Sequence, residues 1–265
     1  MISLVQLLRE AQGSPKAVIL AGAPGAGKGY ILRGLDLGGL KVMNVDDIYV
    51  PLLKKANVSL DLKNATPEER SEQAKQMAAA NKQFKGEMEQ IIAGKESFIL
   101  DGTAASYNTT AKLKNELDEA GYDVFMLYAY TDLERSLSQN QDRYVKSGGE
   151  DRSLAPAIVM RTWKSVTDNL PKYEELFGNN FVAVANTLDD RMQDIDKIIQ
   201  KYLKPFTPQG TKPKTPAQQK KSDERKAKDK EEIQAMLDDD FIYDVIEYTM
   251  SKEEAQMRLK QFLSK

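Results

Sequence analysis

The sequence predicts an α/β fold in which helices cover both faces of a mostly parallel sheet. Two observations carry this prediction: short apolar runs alternate with longer helical stretches, and a glycine-rich loop follows the first run. Continuous apolar runs bounded by turn residues are typical of strands that are buried on both faces. Five such runs lie at residues 16–22, 40–47, 96–103, 122–130 and 180–187. We therefore predict a doubly wound sheet of five strands.

The stretches between these runs carry helix signals. Thr66 and Glu69 have the spacing of a capping box, Pro67 follows the cap, and Gly94 lies just past the expected end. A long helix is therefore predicted over 66–94. The apolar spacing predicts further helices at 111–122, 132–145, 154–176 and 188–203.

The composition limits the available chemistry. The 265 residues include no Cys and no His, and the net charge is −2. Disulfides, thiolate catalysis and an imidazole base are therefore excluded, so a general base must be a carboxylate, Lys or Tyr. The start, "MISLVQLLREAQG", lacks the pattern of a signal peptide, and no run reaches about 18 apolar residues. We expect a cytoplasmic protein with no membrane contact.

The character of the chain changes near residue 205. Residues 205–230 are rich in Pro and then in charged residues, which predicts a linker or arm. Its excess of Lys would suit a weak contact with nucleic acid or with an acidic protein. The alternative is a solvated helical arm. Residues 231–265 regain apolar spacing, with a helix that begins at Ser251. This organisation predicts an α/β domain at 1–204, an arm at 205–230 and a helical tail over 231–265.

The stretch "GAPGAGKGY" at 22–30 matches a phosphate-binding loop, or P-loop. Its glycines let backbone N–H groups approach phosphate oxygens, and Lys28 would reach the β and γ phosphates of ATP. An apolar strand precedes the loop and a helix follows it, as the motif requires. We predict that the nucleotide contacts the whole loop: Gly22, Ala23, Pro24, Gly25, Ala26, Gly27, Lys28, Gly29 and Tyr30.

The loop departs from the usual pattern at Gly29. A Ser or Thr hydroxyl normally ligates Mg²⁺ at this position, and the next residue here is Tyr30. Mg²⁺ would therefore depend on carboxylates and water. This departure opens two alternatives, a kinase and a protein that holds a nucleotide without turnover.

Carboxylates follow two of the predicted strands, where the ligand crevice of a parallel sheet lies. Asp46 and Asp47 end the second strand, and Asp101 ends the third, with Thr103 two residues later. Asp46 would accept the proton of an attacking hydroxyl, and Asp101 would hold Mg²⁺ through water or bind substrate hydroxyls. Helix capping by the first two residues and a turn at Asp101 are the alternatives.

A Gly-rich break, "KSGGEDRS", separates two helical stretches and is typical of a mobile lid over about 143–161. Arg143, Arg152 and Arg161 lie nine residues apart in and around this break, and Arg143 and Arg152 would place guanidinium groups on the phosphates. Asn186, at the end of the fifth strand, would meet the adenine edge. Solvated surface arginines and a turn Asn are the alternatives.

Four stretches, in order, carry a resemblance to the zeta-toxin and polynucleotide-kinase branch of P-loop kinases: "GAPGAGKG", "NVDD", "LDGTAAS" and the Arg-containing stretch 135–161. The resemblance covers about 16–203. It implies a strand order of 2-3-1-4-5 and transfer of the γ-phosphoryl group of ATP to a hydroxyl. The acceptor would be a nucleotide sugar, as in zeta toxins, or a 5′-hydroxyl. Proteins of this type also occur in bacteriophages.

The same resemblance implies roles for single residues. Asp46 matches the catalytic base, Lys28 the phosphate lysine, and Arg152 the lid region; Asp101 and Thr103 fall near the acceptor. The sequence leaves open the small-molecule or nucleotide acceptor and the oligomeric state. Three hypotheses result: an ATP-dependent kinase, a nucleotide-binding module that acts through its tail, and a structural or nucleic-acid-binding component that acts through 205–265.

Overall fold

The computed structural model describes residues 13–33, 40–185, 195–203, 215–237 and 248–264. Within these ranges the chain forms one six-stranded parallel sheet with the order β2-β3-β1-β4-β5-β6. The strands are β1 (Lys16–Ala21), β2 (Lys41–Met43), β3 (Phe98–Asp101), β4 (Asp123–Tyr130), β5 (Phe181–Ala185) and β6 (Thr249–Met250). The α/β fold and the order of the first five strands are confirmed, but the predicted number of five is wrong. The sixth strand has two residues, too few to show a strand period.

Helices connect these strands. They are α1 (Lys28–Leu32), α2 (Asp46–Lys55), α3 (Pro67–Gly94), α4 (Tyr107–Glu119), α5 (Leu133–Lys146), α6 (Pro156–Asp168), α7 (Leu170–Phe177), α8 (Ile195–Ile198), α9 (Pro216–Ala235) and α10 (Lys252–Leu263). A 3₁₀ turn (Gly178–Asn180) precedes β5, and a π-helical turn (Ile199–Leu203) follows α8. None of the described helices is both long enough and apolar enough to cross a membrane.

The long helix α3 begins as predicted. The Thr66 hydroxyl accepts a hydrogen bond from the Glu69 N–H at 3.2 Å, and the Glu69 carboxylate accepts one from the Thr66 N–H at 2.8 Å. Its end differs from the prediction, because Gly94 is the last helical residue and Lys95 adopts the left-handed conformation with φ 54°. A capping box is local and visible in sequence, whereas Lys95 shows no such preference.

Other helix boundaries differ from the predicted ones for local reasons. Helix α4 starts before the predicted residue 111, because the Ser106 hydroxyl accepts a hydrogen bond from the Thr109 N–H. The predicted helix over 154–176 is two helices, with a break where the Asn169 amide donates to the Ala105 carbonyl oxygen at 3.1 Å. In the predicted helix over 188–203, residues 188–194 lie outside the described residues.

Two apolar layers enclose the sheet. On one face, Ala17, Ile19 and Ala21 of β1 point into a large cluster that α3 to α9 complete. On the other face, Val18 and Leu20 pack against Ile31 of α1 and against one stripe of α10. That stripe consists of Ala255, Leu259 and Phe262, and the Phe262 ring lies 4.9 Å from the Phe125 ring of β4, measured between centroids. The apolar stripe predicted for the tail is therefore used inside the fold.

The arm and the tail have different settings. The described part of the arm, from Thr215 onward, is the helix α9, which begins with a capping box between Thr215 and Gln218 and buries Ile233 near its end. Its Lys and Arg side chains alternate with Asp and Glu, and several form i,i+4 ion pairs. The contact with nucleic acid stays a prediction, and so does the domain boundary at residue 204.

Candidate active site

The P-loop leaves β1 in a conformation that requires glycine. Gly22, Gly25 and Gly27 have φ values of 141°, 79° and 79°. A Cβ atom on Gly22 would lie 2.5 Å from the Ala129 carbonyl oxygen of β4, and one on Gly25 would lie 3.0 Å from the Ser136 carbonyl oxygen of α5. The glycines thus let the loop pass between the sheet and α5.

Neighbouring elements hold this loop in place. The Ser136 hydroxyl donates to the Pro24 carbonyl oxygen at 2.6 Å, and the Gly22 N–H donates to the Thr103 carbonyl oxygen at 3.1 Å. Helix α1 ends after five residues, and the Gln256 amide of α10 donates to the Ile31 carbonyl oxygen at 2.6 Å. Helix α10 therefore supports the short helix whose N-terminus faces the cleft.

A cleft of about 810 Å³, here called the donor cleft, opens above the loop at the carboxyl ends of the strands. Most of the predicted site residues line it: Pro24, Gly25, Ala26, Gly27, Lys28, Gly29, Asp46, Asp101, Thr103, Arg143 and Arg152. Asn44 lines it too, and the sequence interpretation gave that residue no role.

Five predicted residues are not among those that line the donor cleft. Gly22 and Ala23 are buried at the start of the loop, and Asp47 is exposed in the first turn of α2. Tyr30 points outward, half exposed, with the Lys252 Nζ atom 3.9 Å from the centre of its ring. Asn186 lies outside the described residues.

Lys28 is half-buried at the base of the donor cleft. Its Nζ atom donates to the Gly22 carbonyl oxygen at 3.1 Å. Burial lowers the pKa of Lys28, and the charge of Arg143 lowers it further, while Asp101 and Asp46 oppose the shift. A phosphate at this position would restore the charge balance of the ammonium group.

Asp101 faces Lys28 from the end of β3. Burial raises the pKa of Asp101, and the charge of Lys28 and a hydrogen bond from Asn44 oppose this shift. The Asn44 Nδ2 atom lies 3.0 Å from the Asp101 Oδ2 atom. The carboxylate therefore has two partners that stabilise its ionised form.

Asp46 begins α2 and turns into the cleft, where it pairs with Arg152 from the lid. The Arg152 Nη2 atom lies 2.8 Å from the Asp46 Oδ2 atom, and both side chains are less than one-fifth exposed. Among the described residues, the buried Asp46 Oδ1 and Arg152 Nε atoms have no hydrogen-bond partner. Buried polar atoms are rarely left unpaired, so this pair has the capacity to bind a ligand.

The segment predicted as a lid, about 143–161, connects the donor cleft to the loop after α2. It turns at Gly148 and Gly149, where φ is positive, and Arg143 forms an ion pair with Asp151 across that turn. The Ser153 N–H donates to the Leu60 carbonyl oxygen at 3.1 Å. The lid is therefore attached to the loop after α2.

A second cavity of about 550 Å³, here called the acceptor cavity, lies on the other side of Arg152. Apolar side chains of α3 and α6 form part of its wall, together with Tyr49 of α2. Its charged lining residues, among those the structure describes, are all cations: Lys63, Arg70, Arg152 and Arg161. The sequence singled out the arginines of the stretch 135–161, but it did not join them with Lys63 and Arg70, which lie far away along the chain.

The comparison with protein families assigns the chain. The family model described as zeta toxin matches residues 4–198, most of the chain. The chain belongs to the zeta-toxin family. Membership supports a P-loop kinase-like phosphotransferase that binds ATP, in agreement with the site geometry. No curated protein matches the sequence.

Solved structures support the fold assignment of this zeta-toxin family member. The native AvrRxo1-ORF1:-ORF2 complex is 16% identical, with 97% of this chain and 82% of that chain covered and a TM-score of 0.52. The same complex with ATP is 16% identical, with 96% and 82% covered and a TM-score of 0.50. The PezAT toxin–antitoxin system of Streptococcus pneumoniae is 15% identical, with 81% and 85% covered and a TM-score of 0.47. At these identities the AvrRxo1 likeness shows a shared fold.

Proposed function

We propose that this zeta-toxin family member is an ATP-dependent kinase that phosphorylates a hydroxyl of a small molecule, a nucleotide sugar or a polynucleotide end. The single observation that carries the proposal is the common position of Lys28, Asp46 and Arg152 around one cleft at the carboxyl ends of the strands. This is the arrangement that phosphoryl transfer requires, because its catalysis consists mainly of positioning and charge neutralisation.

On the donor side, backbone N–H groups of the loop and the N-terminus of α1 would bind the phosphates of ATP. Lys28 would bind the β and γ phosphates, and Arg143 would neutralise charge from the lid. Tyr30 has no part in this proposal, since it faces α10 instead of the cleft.

Mg²⁺ fits the site through the carboxylates. Mg²⁺ in kinases keeps several waters and uses one or two protein carboxylates together with substrate phosphates. Asp46 and Asp101 both line the donor cleft, and the Asp46 Oδ1 atom has no partner among the described residues. Bound Mg²⁺ would neutralise the charge that develops on the β and γ phosphates. Gly29 supplies no hydroxyl ligand, so these carboxylates would be the protein's contribution.

Asp46 is proposed as the general base. The acceptor oxygen would attack the γ-phosphorus while its proton moves to Asp46, and the bond from that phosphorus to the β-phosphate oxygen would break to release ADP. Arg152 would then stabilise the charge on the transferred group. The ion pair between these residues would rearrange when a substrate binds, because Arg152 would exchange one carboxylate for phosphate oxygens.

The acceptor cavity favours an acceptor that carries phosphate. Its volume of about 550 Å³ suits a small ligand, and four cationic side chains line it. Guanidinium groups bind phosphate in bidentate fashion, so Arg70 and Arg161 would supply affinity on this side. A nucleotide sugar and a polynucleotide end would both satisfy this requirement.

The test is phosphoryl transfer from ATP with Mg²⁺ across a panel of acceptors. The panel holds UDP-N-acetylglucosamine, nucleosides, nucleoside monophosphates and 5′-hydroxyl oligonucleotides, and mass spectrometry identifies the products. We expect Asp46→Asn to slow transfer by about 10²- to 10⁴-fold while ATP still binds, because a general base contributes about that much. Asp118→Asn, an exposed change on α4, serves as the control. If Asp47→Asn slows transfer and Asp46→Asn does not, the assignment of the base is wrong.

A second candidate is a nucleotide-binding protein without turnover, which Gly29 favours because the usual Mg²⁺ ligand is absent from the loop. A protein partner would then carry the function, and a protein of similar fold was solved as the AvrRxo1-ORF1:-ORF2 complex. Tight ATP binding with no product from any acceptor would support this candidate over the kinase.

A further inference from the structure

Asn44 occupies the turn between β2 and α2, on the wall of the donor cleft. Its amide makes two contacts in different directions. The Nδ2 atom donates to the Asp101 Oδ2 atom at 3.0 Å, and the Oδ1 atom accepts from the Asp46 N–H at 2.9 Å. One side chain therefore joins the end of β3 to the first residue of α2.

An amide suits both contacts because it combines a donor and an acceptor in one plane. An Asp at this position would keep the acceptor for the Asp46 N–H but would turn a carboxylate oxygen towards Asp101. A Ser would keep a weaker turn with the Asp46 N–H, and its short side chain would not reach Asp101. Val45, the cap residue of α2, makes no side-chain cap, so Asn44 also satisfies one free N–H of that helix.

We propose that Asn44 is a positioning residue that holds the carboxylates of Asp46 and Asp101 at a fixed separation, so that both face the metal–nucleotide complex. The inference rests on the proposed function, since it assigns these carboxylates to Mg²⁺. Without the amide, Asp101 would turn towards the ammonium group of Lys28, and the start of α2 would lose an anchor for Asp46. Residues that orient metal ligands in this way contribute about 10- to 100-fold to metal affinity.

The test measures the affinity for ADP, with and without Mg²⁺, by calorimetry on the full chain. The readout is the ratio of the ADP affinities with and without Mg²⁺, since an Asp101 carboxylate that turns towards Lys28 would weaken metal-free binding as well. For Asn44→Ser we expect this ratio to fall at least about 10-fold below that of the wild type. Retained metal-free binding shows that the variant is folded.

A matched control is Asn64→Ser. The Asn64 Nδ2 atom donates to the Asp61 Oδ2 atom at 2.7 Å on the exposed loop after α2, so the variant removes an Asn–Asp hydrogen bond outside the cleft. It should keep the full Mg²⁺ effect.

Two results would overturn the inference. If Asn44→Ser keeps the full Mg²⁺ effect, Asn44 only supports the start of α2. If the wild-type affinity for ADP is indifferent to Mg²⁺, the carboxylates do not serve the metal. Failure of the kinase proposal is distinguishable, because it appears as absent phosphoryl transfer while the Mg²⁺ effect on ADP binding persists.

Discussion

Leu259 of α10 is fully buried against the second face of the sheet, which makes it a direct test of the tail's role. Leu259→Ala removes three carbon atoms. At about 0.8 kcal/mol for each, the lost transfer free energy is about 2.4 kcal/mol. The cavity left behind adds to this cost, so the free energy of unfolding should fall by about 3 to 5 kcal/mol.

The assay is urea unfolding followed by the fluorescence of Trp163, the single tryptophan, which is buried on the opposite face of the sheet. For an m-value of about 3 kcal/mol per M, the midpoint should fall by about 1 M or more, with the slope unchanged. Because the probe and the mutation lie on opposite faces, a shift also shows that the tail unfolds together with the sheet.

Met257→Ala is the matched control on the same helix, since that side chain is 53% exposed. Its effect should stay within about 0.5 kcal/mol, the usual range for surface changes. If Leu259→Ala has an equally small effect, α10 is not part of the core. That result would favour the interpretation of residues 231–265 as a separate interaction element.

Three further variants test the P-loop and α3. Lys28→Ala should weaken ADP binding by about 10- to 100-fold in calorimetry, because charge-assisted hydrogen bonds to phosphate are lost. An unchanged affinity for ADP would contradict the P-loop assignment. Gly29→Ser should fold normally, since no atom lies within 4 Å of the added Cβ. The new hydroxyl should increase the Mg²⁺ dependence of ADP binding. An unaltered response to Mg²⁺ would show that the loop places no metal there. Tyr122→Phe should cost about 1 kcal/mol in urea unfolding, because the hydroxyl donates to the Ile91 and Glu96 carbonyl oxygens at 3.1 and 2.9 Å. Burial raises the pKa of Tyr122 to about 12. The excess free energy of unfolding of the wild type over Tyr122→Phe should therefore be complete below pH 10, where the unfolded chain keeps its phenol proton, and should decline as the pH rises towards 12. A constant difference across this range would contradict the assignment.

Features that depend on local rules could be predicted from the sequence. The position of the glycine-rich loop after β1 could be predicted, because the sequence shows both the glycine spacing and the preceding apolar run. Asp46 and Asp101 line one cleft because adjacent parallel strands end at the same edge of the sheet. The start of α3 followed from its capping box.

Features that depend on distant contacts could not be predicted. The sequence interpretation assigned Tyr30 to the nucleotide because it is continuous with the loop. Each helical residue turns by about 100°, so Tyr30 lies about 200° around α1 from Lys28 and faces α10. Strand β6 and the cations of the acceptor cavity depend in the same way on contacts between distant parts of the chain.

The hydrogen bond from Gln256 to the Ile31 carbonyl oxygen spans 225 positions of the chain. At a synthesis rate of about 5 to 20 residues per second, α10 emerges roughly 10 to 45 s after α1. During this interval the nascent chain has its P-loop sequence but not the layer that covers the adjacent sheet face. Closing so long a loop also makes this contact a late and slow step of folding. We therefore expect the proposed phosphoryl transfer to begin only after translation has passed α10, when nearly all of the described fold has been made.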